Sequence, residues 1–182
     1  MKKSNWKLPL IILAAVAAFV LMVVLGIFSS QNKAISLEEA VYTAESDVKV
    51  QEKRRVDLVY NLADCVKQYD AHESETLQGL AEDMSKGNEV SDVNTAIAAV
   101  TYAYPELKSN ENYKQLMTDL TTTENLLAQY RENYNESVKS YNRYVRKLPT
   151  RIFLDITGYE RQNFSRLDYD APVDAPQDLF ED

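Results

Sequence analysis

Residues 8–28 read LPLIILAAVAAFVLMVVLGIF, an apolar run without a single charge. A bilayer core of about 30 Å is crossed by about 20 apolar residues in a helix, and this run supplies them once. Backbone polar groups in a bilayer must be satisfied within the segment, so the run is helical. Pro9 falls in its first turn, where a missing N–H is harmless. Lys2, Lys3 and Lys7 precede the run, whereas Lys33, Glu38 and Glu39 follow it. The positive-inside rule then leaves residues 1–7 in the cytoplasm and exports the rest, in a single-pass cell-membrane protein. Trp6 stands beside the run, where an indole suits the headgroup layer. A cleaved signal peptide is the rival reading. Its apolar stretch is usually about 7–15 residues, and Val24-Leu25-Gly26 is a poor small-x-small cleavage site.

Beyond the run lie about 150 residues, enough for one domain with its own core. The formal net charge is −8, and three of the 20 basic residues precede the run, so the exported part is more acidic still. That total argues against nucleic acid and against anionic lipid headgroups as partners. Cys65 is the single cysteine, which excludes an internal disulfide framework. Only four glycines interrupt the chain, as expected of a mostly helical protein.

Working outward from the run, residues 29–35 read as a short polar juxtamembrane linker. Ser36-Leu37-Glu38-Glu39 has the form of a capping box opening a helix. From there Val41, Ala44, Val48, Gln51, Arg55, Leu58, Leu62, Cys65 and Tyr69 recur in steps of three and four, one face of a long amphipathic helix. No Pro or Gly interrupts it before Gly79, so the expected helix continues toward Ser85, with Gly87 suited to its C-terminal cap. A shorter helix is expected from Val93 to about Tyr102, and Tyr104-Pro105 ends it. Asn110 or Asn112 opens the last long helix, which runs to Leu148 before Pro149. Its stripe is Tyr113, Met117, Leu120, Glu124, Leu127, Arg131, Tyr134, Val138, Tyr141, Val145 and Leu148, spaced as in bundle seams. The class is all-α: an N-terminal transmembrane helix followed by an antiparallel up-and-down bundle of three or four long helices. The bundle domain spans residues 36–167. Residues 168–182 are acidic and proline-bearing and read as a disordered tail.

The chemistry-bearing residues are few. His72 opens His72-Glu73-Ser74-Glu75, but a zinc-protease helix needs a second His one turn on, and position 76 is Thr. Cys65 lies on the apolar stripe, which suits a buried small hydrophobe rather than a nucleophile. No catalytic, cofactor-binding or metal-ligating set is assigned. Arg55, Glu124 and Arg131 stand out, because they occupy seam positions in otherwise apolar stripes. Buried charge must be paired. The three read as a buried polar layer that sets helix register, or else as a binding or proton-linked site. Tyr-Asn pairs recur at Tyr60-Asn61, Tyr134-Asn135 and Tyr141-Asn142, where interhelical packing is the default and an aromatic recognition surface the alternative. Asn135 and Asn163 also head glycosylation sequons, which matter only in a eukaryotic secretory route.

Several stretches together resemble the LemA family of bacterial membrane-anchored helical proteins. They begin with Lys53-Arg54-Arg55-Val56-Asp57-Leu58-Val59-Tyr60-Asn61-Leu62 and Tyr69-Asp70-Ala71-His72-Glu73-Ser74-Glu75-Thr76-Leu77. Ala103-Tyr104-Pro105-Glu106-Leu107-Lys108-Ser109-Asn110-Glu111-Asn112-Tyr113 and Thr123-Glu124-Asn125 follow. Arg131-Glu132-Asn133-Tyr134-Asn135, Tyr141-Asn142 and Leu148-Pro149 complete them, over roughly residues 37–165. One departure is Tyr60, where the family commonly has Pro and a helix break. The tail from Asp168 has no recognised counterpart. The resemblance implies the anchor and the bundle and transfers no active site. The expected role is therefore a non-enzymatic envelope protein that presents a helical surface to another envelope protein, with homo-oligomerisation open. The alternative is a small-molecule or ion sensor, or a weak hydrolase, built on the Arg55/Glu124/Arg131 layer.

Overall fold

The computed structural model describes residues 7–67, 71–86, 102 and 104–167. Among them the structure is all-α, with helices α1 (Lys7–Val66), α2 (Ala71–Ser85), α3 (Glu111–Arg146) and α4 (Thr150–Thr157) and a 3-10 turn at Pro105–Ser109. The expected helix from Val93, the cap at Gly87 and the tail from Asp168 lie outside the described residues.

The apolar run does not end in a linker. Residues 29–35 and Ser36 lie inside α1, which continues unbroken to Val66. The capping-box expectation fails for a local reason. A Ser caps only where the backbone enters a helix. Here the backbone is already helical, so the Ser36 hydroxyl donates to the carbonyl of Asn32, one turn back, at 2.9 Å. Tyr60 also lies inside α1, so the helix does not break there. The interruption comes later: α1 ends at Val66, Lys67 stands in a turn, and α2 begins at Ala71.

The other signals hold. Pro105 opens the 3-10 turn, behind Tyr104 at φ −126° and ψ 79°, outside the α region. Asn110 is the cap of α3: its Oδ1 accepts the backbone N–H of Asn112 at 2.9 Å and of Tyr113 at 3.2 Å. Helix α3 stops at Arg146, two residues short of the expected end, with Arg143 and Arg146 in the last turn, where cations complement the helix dipole. The α3 stripe is buried at Tyr113, Leu120, Leu127, Tyr134, Val138, Tyr141 and Val145, but Leu148 is 69% exposed, because the helix has ended before it. Helix α4 closes on Gly158, at φ 68°, with Tyr159 N–H donating to the Leu154 carbonyl.

Packing divides the chain into two units, Met1–Glu38 with Asn135–Asp182, and Glu39–Tyr134. In the second unit, Val59, Leu62, Ala63 and Val66 of α1 meet Leu77 and Ala81 of α2, Leu107 of the 3-10 turn, and Tyr113 and Leu120 of α3 in one core. The buried Ser74 hydroxyl ties α2 to α1 through the Ala63 carbonyl at 2.9 Å. In the first unit, the apolar run is the conspicuous surface: Leu10, Leu13, Phe19, Met22, Leu25 and Phe28 are all exposed. An apolar surface of that extent suits a membrane anchor. The helix is long and apolar enough to cross a membrane.

Truncating Leu77, which is fully buried in the core, to Ala is expected to cost about 2–5 kcal/mol. At Gly79 of α2 an added Cβ meets nothing within 4 Å, so Gly79→Ala is expected to stabilise by about 0.5–1 kcal/mol. Chemical unfolding of the detergent-solubilised protein, followed by circular dichroism, checks both signs.

Candidate functional site

Arg55, Glu124 and Arg131 all lie in the second unit. Arg55 Nε contacts Glu124 Oε1 at 2.5 Å, from α1 to α3. Arg131 Nη2 reaches Glu52 Oε1 on α1 at 3.1 Å. Residue 52 precedes 55 while 131 follows 124, so the two charge pairs fix α1 and α3 as antiparallel. The layer is not fully buried. The Arg55 and Glu124 side chains are 21% and 30% exposed, those of Arg131 and Glu52 29% and 46%. Long charged side chains bury their stems and keep their heads near water. The contacting atoms Arg55 Nε and Glu124 Oε1 are themselves buried, and they meet as an ion pair rather than as an aligned hydrogen bond. One turn before Arg55 on α1, Gln51 Oε1 is buried without a hydrogen-bond partner among the described residues. Glu52 was missed by sequence reasoning because it stands one place off the seam. Only the position of Arg131 on the facing helix gives it a partner.

Helix α2 carries His72 on its exposed side, and its carbonyl accepts the Thr76 hydroxyl one turn on. Cys65 is half-buried at the edge of the core, and burial pushes its thiol pKa up, away from nucleophile character. No group of three or more His, Cys, Asp or Glu residues suited to a metal ion occurs among the described residues.

Asn135 and the Tyr141-Asn142 pair have a role that the sequence did not reveal. In the first unit, residues 159–167 return along α3 as an extended strap. Asn135 holds its far end twice: Oδ1 accepts Leu167 N–H at 2.8 Å and Nδ2 donates to Leu167 O at 2.9 Å. Two turns on, Asn142 Nδ2 donates to Phe164 O at 3.4 Å. Seven residues of helix rise about 10.5 Å, and three residues of extended chain span about 10 Å. A heptad-spaced Asn pair thus matches every third residue of the strap. The Phe164 ring meets buried Tyr141 edge-on, with centroids 5.1 Å apart. Four groups then form one relay. Gln162 N–H donates to the Tyr141 hydroxyl at 2.8 Å, Tyr141 lies 3.2 Å from the Tyr159 hydroxyl, and Tyr159 donates to Glu38 of α1. With the Tyr159 proton directed at Glu38, the Tyr141 hydroxyl is the donor to Tyr159. Burial, the bond to Glu38 and the bond to Tyr141 together hold the Tyr159 phenol well above its usual pKa.

Two expectations follow. Replacing Glu124 with Ala leaves Arg55 uncompensated and is expected to cost about 1–3 kcal/mol, less than for a fully buried pair. The Arg55→Leu/Glu124→Leu double substitution should recover most of that loss, as a double-mutant cycle in unfolding experiments would show. For Tyr159, the raised folded-state pKa means that the unfolded chain loses its proton first as pH rises. The strap's contribution is therefore complete below the unfolded value of about 10 and declines above it. Tyr159→Phe should flatten that alkaline decline, read as unfolding midpoint against pH.

Comparison with known proteins places these features in a family. Residues 44–177 match the LemA family, a span that begins within α1 and runs past Asp168, where the sequence resemblance had stopped. Magnetosome protein MamQ 2 of Paramagnetospirillum magneticum is 34% identical over 88 residues, covering 47% of this chain and 32% of its own. Magnetosome protein MamQ of Magnetospirillum gryphiswaldense is 32% identical over 83 residues, covering 44% of this chain and 30% of its own. The chain thus spans about a third of the length of the curated relatives it matches. With most of its length matched and an apolar helix at its N-terminus, this membrane-associated helical protein belongs to the LemA family.

Proposed function

We propose that the chain is a non-enzymatic, single-pass scaffold that presents a helical surface to another envelope protein. The supporting observation is an apolar pair on the part of α1 that belongs to the second unit: Tyr42 is 43% exposed and Val50 is 59% exposed. Their spacing of eight residues is close to two turns, so both lie toward one side of the helix. Apolar groups lined up this way on a solvent-facing helix suit a protein partner. The charges of the α1–α3 layer are engaged with each other, which fits a packing role. The basic flank at Lys2, Lys3 and Lys7 supports an N-terminus in the cytoplasm and an exported bundle.

A photo-crosslinking residue at Val50 in native membranes should give a discrete adduct of fixed mass, and one at exposed Lys53 a weaker adduct or none. Equal, diffuse labelling from both sites contradicts an interaction strip. For orientation, Asp57→Cys in a Cys65→Ser background should react with a membrane-impermeant thiol reagent on intact cells, or on spheroplasts if there is an outer membrane. Protection until lysis would reverse the assignment.

One observation favours a second reading, in which the layer is a small-molecule or ion sensor or a weak hydrolase. The buried Gln51 Oε1, without a hydrogen-bond partner among the described residues, is an acceptor available to a ligand one turn before Arg55 on α1. The Arg55→Leu/Glu124→Leu protein separates the two. An unchanged crosslink at Val50 and an unchanged cellular phenotype support the scaffold; a folded protein that has lost the phenotype but kept the crosslink supports the sensor.

A further inference from the structure

The net charge of −8 conceals a block of opposite sign. Between Glu136 and Asp155 the sequence contains no acidic residue, while Lys139, Arg143, Arg146, Lys147 and Arg151 all fall there. Lys139 pairs with Glu136. Arg146, Lys147 and Arg151 are exposed and make no ion pair among the described residues. Asp155, the first acid after the block, is taken up by Arg161. The block covers the end of α3 and the start of α4, both within the first unit.

Helix α4 is amphipathic in an unusual direction. Thr150 and Leu154 form its buried side. Its other side is more apolar: Ile152 is 51% and Ile156 63% exposed, and Leu148, four residues before Ile152, is 69% exposed. Ile152 and Ile156 stand one turn apart on α4, and Leu148 lies in the turn that leads into it. A soluble surface has no use for such exposed apolar side chains beside three cations that make no ion pair among the described residues.

The position of α4 relative to the apolar run supplies the occupant. The Phe153 ring packs at Gly26, where an added Cβ would stand 3.5 Å from it. Gly26 is two residues before the end of the run, about 3 Å along the helix axis. With the run in a bilayer, Phe153 is held at the boundary between hydrocarbon and headgroups, and α4 is delivered there with its apolar side chains and its cations.

We infer that α4 is a second membrane-contact element, an interfacial helix that inserts Leu148, Ile152 and Ile156 beside the anchor while Arg146, Lys147 and Arg151 bind anionic lipid headgroups. Interfacial helices combine an apolar face at the acyl boundary with Lys and Arg at the headgroups, and their binding gains from anionic lipid. This inference rests on the apolar run being a membrane span, in either orientation, and not on the partner-binding role. It reverses, for this surface alone, the exclusion of anionic lipid that the total charge suggested.

The test uses the full chain, reconstituted in bilayers of phosphatidylcholine alone or mixed with phosphatidylglycerol. A polarity-sensitive fluorophore is attached at Ile156→Cys in a Cys65→Ser background, with separate proteins labelled at Asp57→Cys and Phe19→Cys. Nitroxide lipids labelled near the headgroup serve as quenchers. The Ile156 label is expected to shift to the blue and be quenched, more strongly with phosphatidylglycerol present, while the Asp57 label stays in water. Arg146→Glu/Lys147→Glu/Arg151→Glu should abolish the phosphatidylglycerol dependence. An Ile156 label as water-exposed as the Asp57 label would overturn the inference. So would equal quenching in both lipid mixtures that charge reversal leaves untouched, since no headgroup is then recognised. The Phe19 label keeps two failures apart: if it too is in water, the span itself is wrong; if it is in hydrocarbon while Ile156 is in water, only the α4 inference falls.

Discussion

One unbroken ladder of backbone hydrogen bonds runs from Lys7 to Val66, and the rest of the structure depends on it. The apolar run must be helical because a bilayer offers its backbone no other partner. No Gly or Pro breaks the helix where it leaves the run, and it continues to Val66. The segment that leaves the membrane is therefore already the first helix of the bundle. The expected linker at residues 29–35 is helix instead.

That constraint explains how the return path is used in each unit. In the second, the Arg55–Glu124 and Glu52–Arg131 pairs fix the antiparallel register of α1 and α3, with the apolar core alongside. A partly exposed charge pair stabilises little in itself. Its effect is to disfavour slipped registers, which would leave charges facing apolar neighbours. In the first unit, Asn135 and Asn142 bind strap backbone, and the Tyr141–Tyr159–Glu38 relay ties that strap to α1. The same unit holds α4 against Gly26.

How much of this was legible in the sequence depended on whether the signal was local. The helix over the apolar run, the α3 stripe as far as Val145, a cap at Asn110 or Asn112 and the break at Pro105 are written in consecutive residues and are legible there. Ser36 misled because a capping box is a statement about a chain entering a helix, and this chain was already in one. The end of α1 at Val66 has no Gly or Pro to announce it. Arg55, Glu124 and Arg131 were singled out by their misfit with an apolar stripe, but the partnership of Arg131 with Glu52 spans the gap between helices and has no sequence signature. The Asn135–Leu167 and Asn142–Phe164 contacts are equally non-local. The basic block near α4 escaped notice because a net charge averages over position.

The central claim is that membrane run and bundle helix are one continuous helix. Hydrogen–deuterium exchange of the full chain in lipid nanodiscs, followed over peptides covering residues 29–36, tests it most directly. Continuous helix predicts slow exchange there, comparable with that of the segment that follows in α1. Fast exchange across residues 29–35, with protection beginning only after Ser36, would contradict it and restore the flexible link.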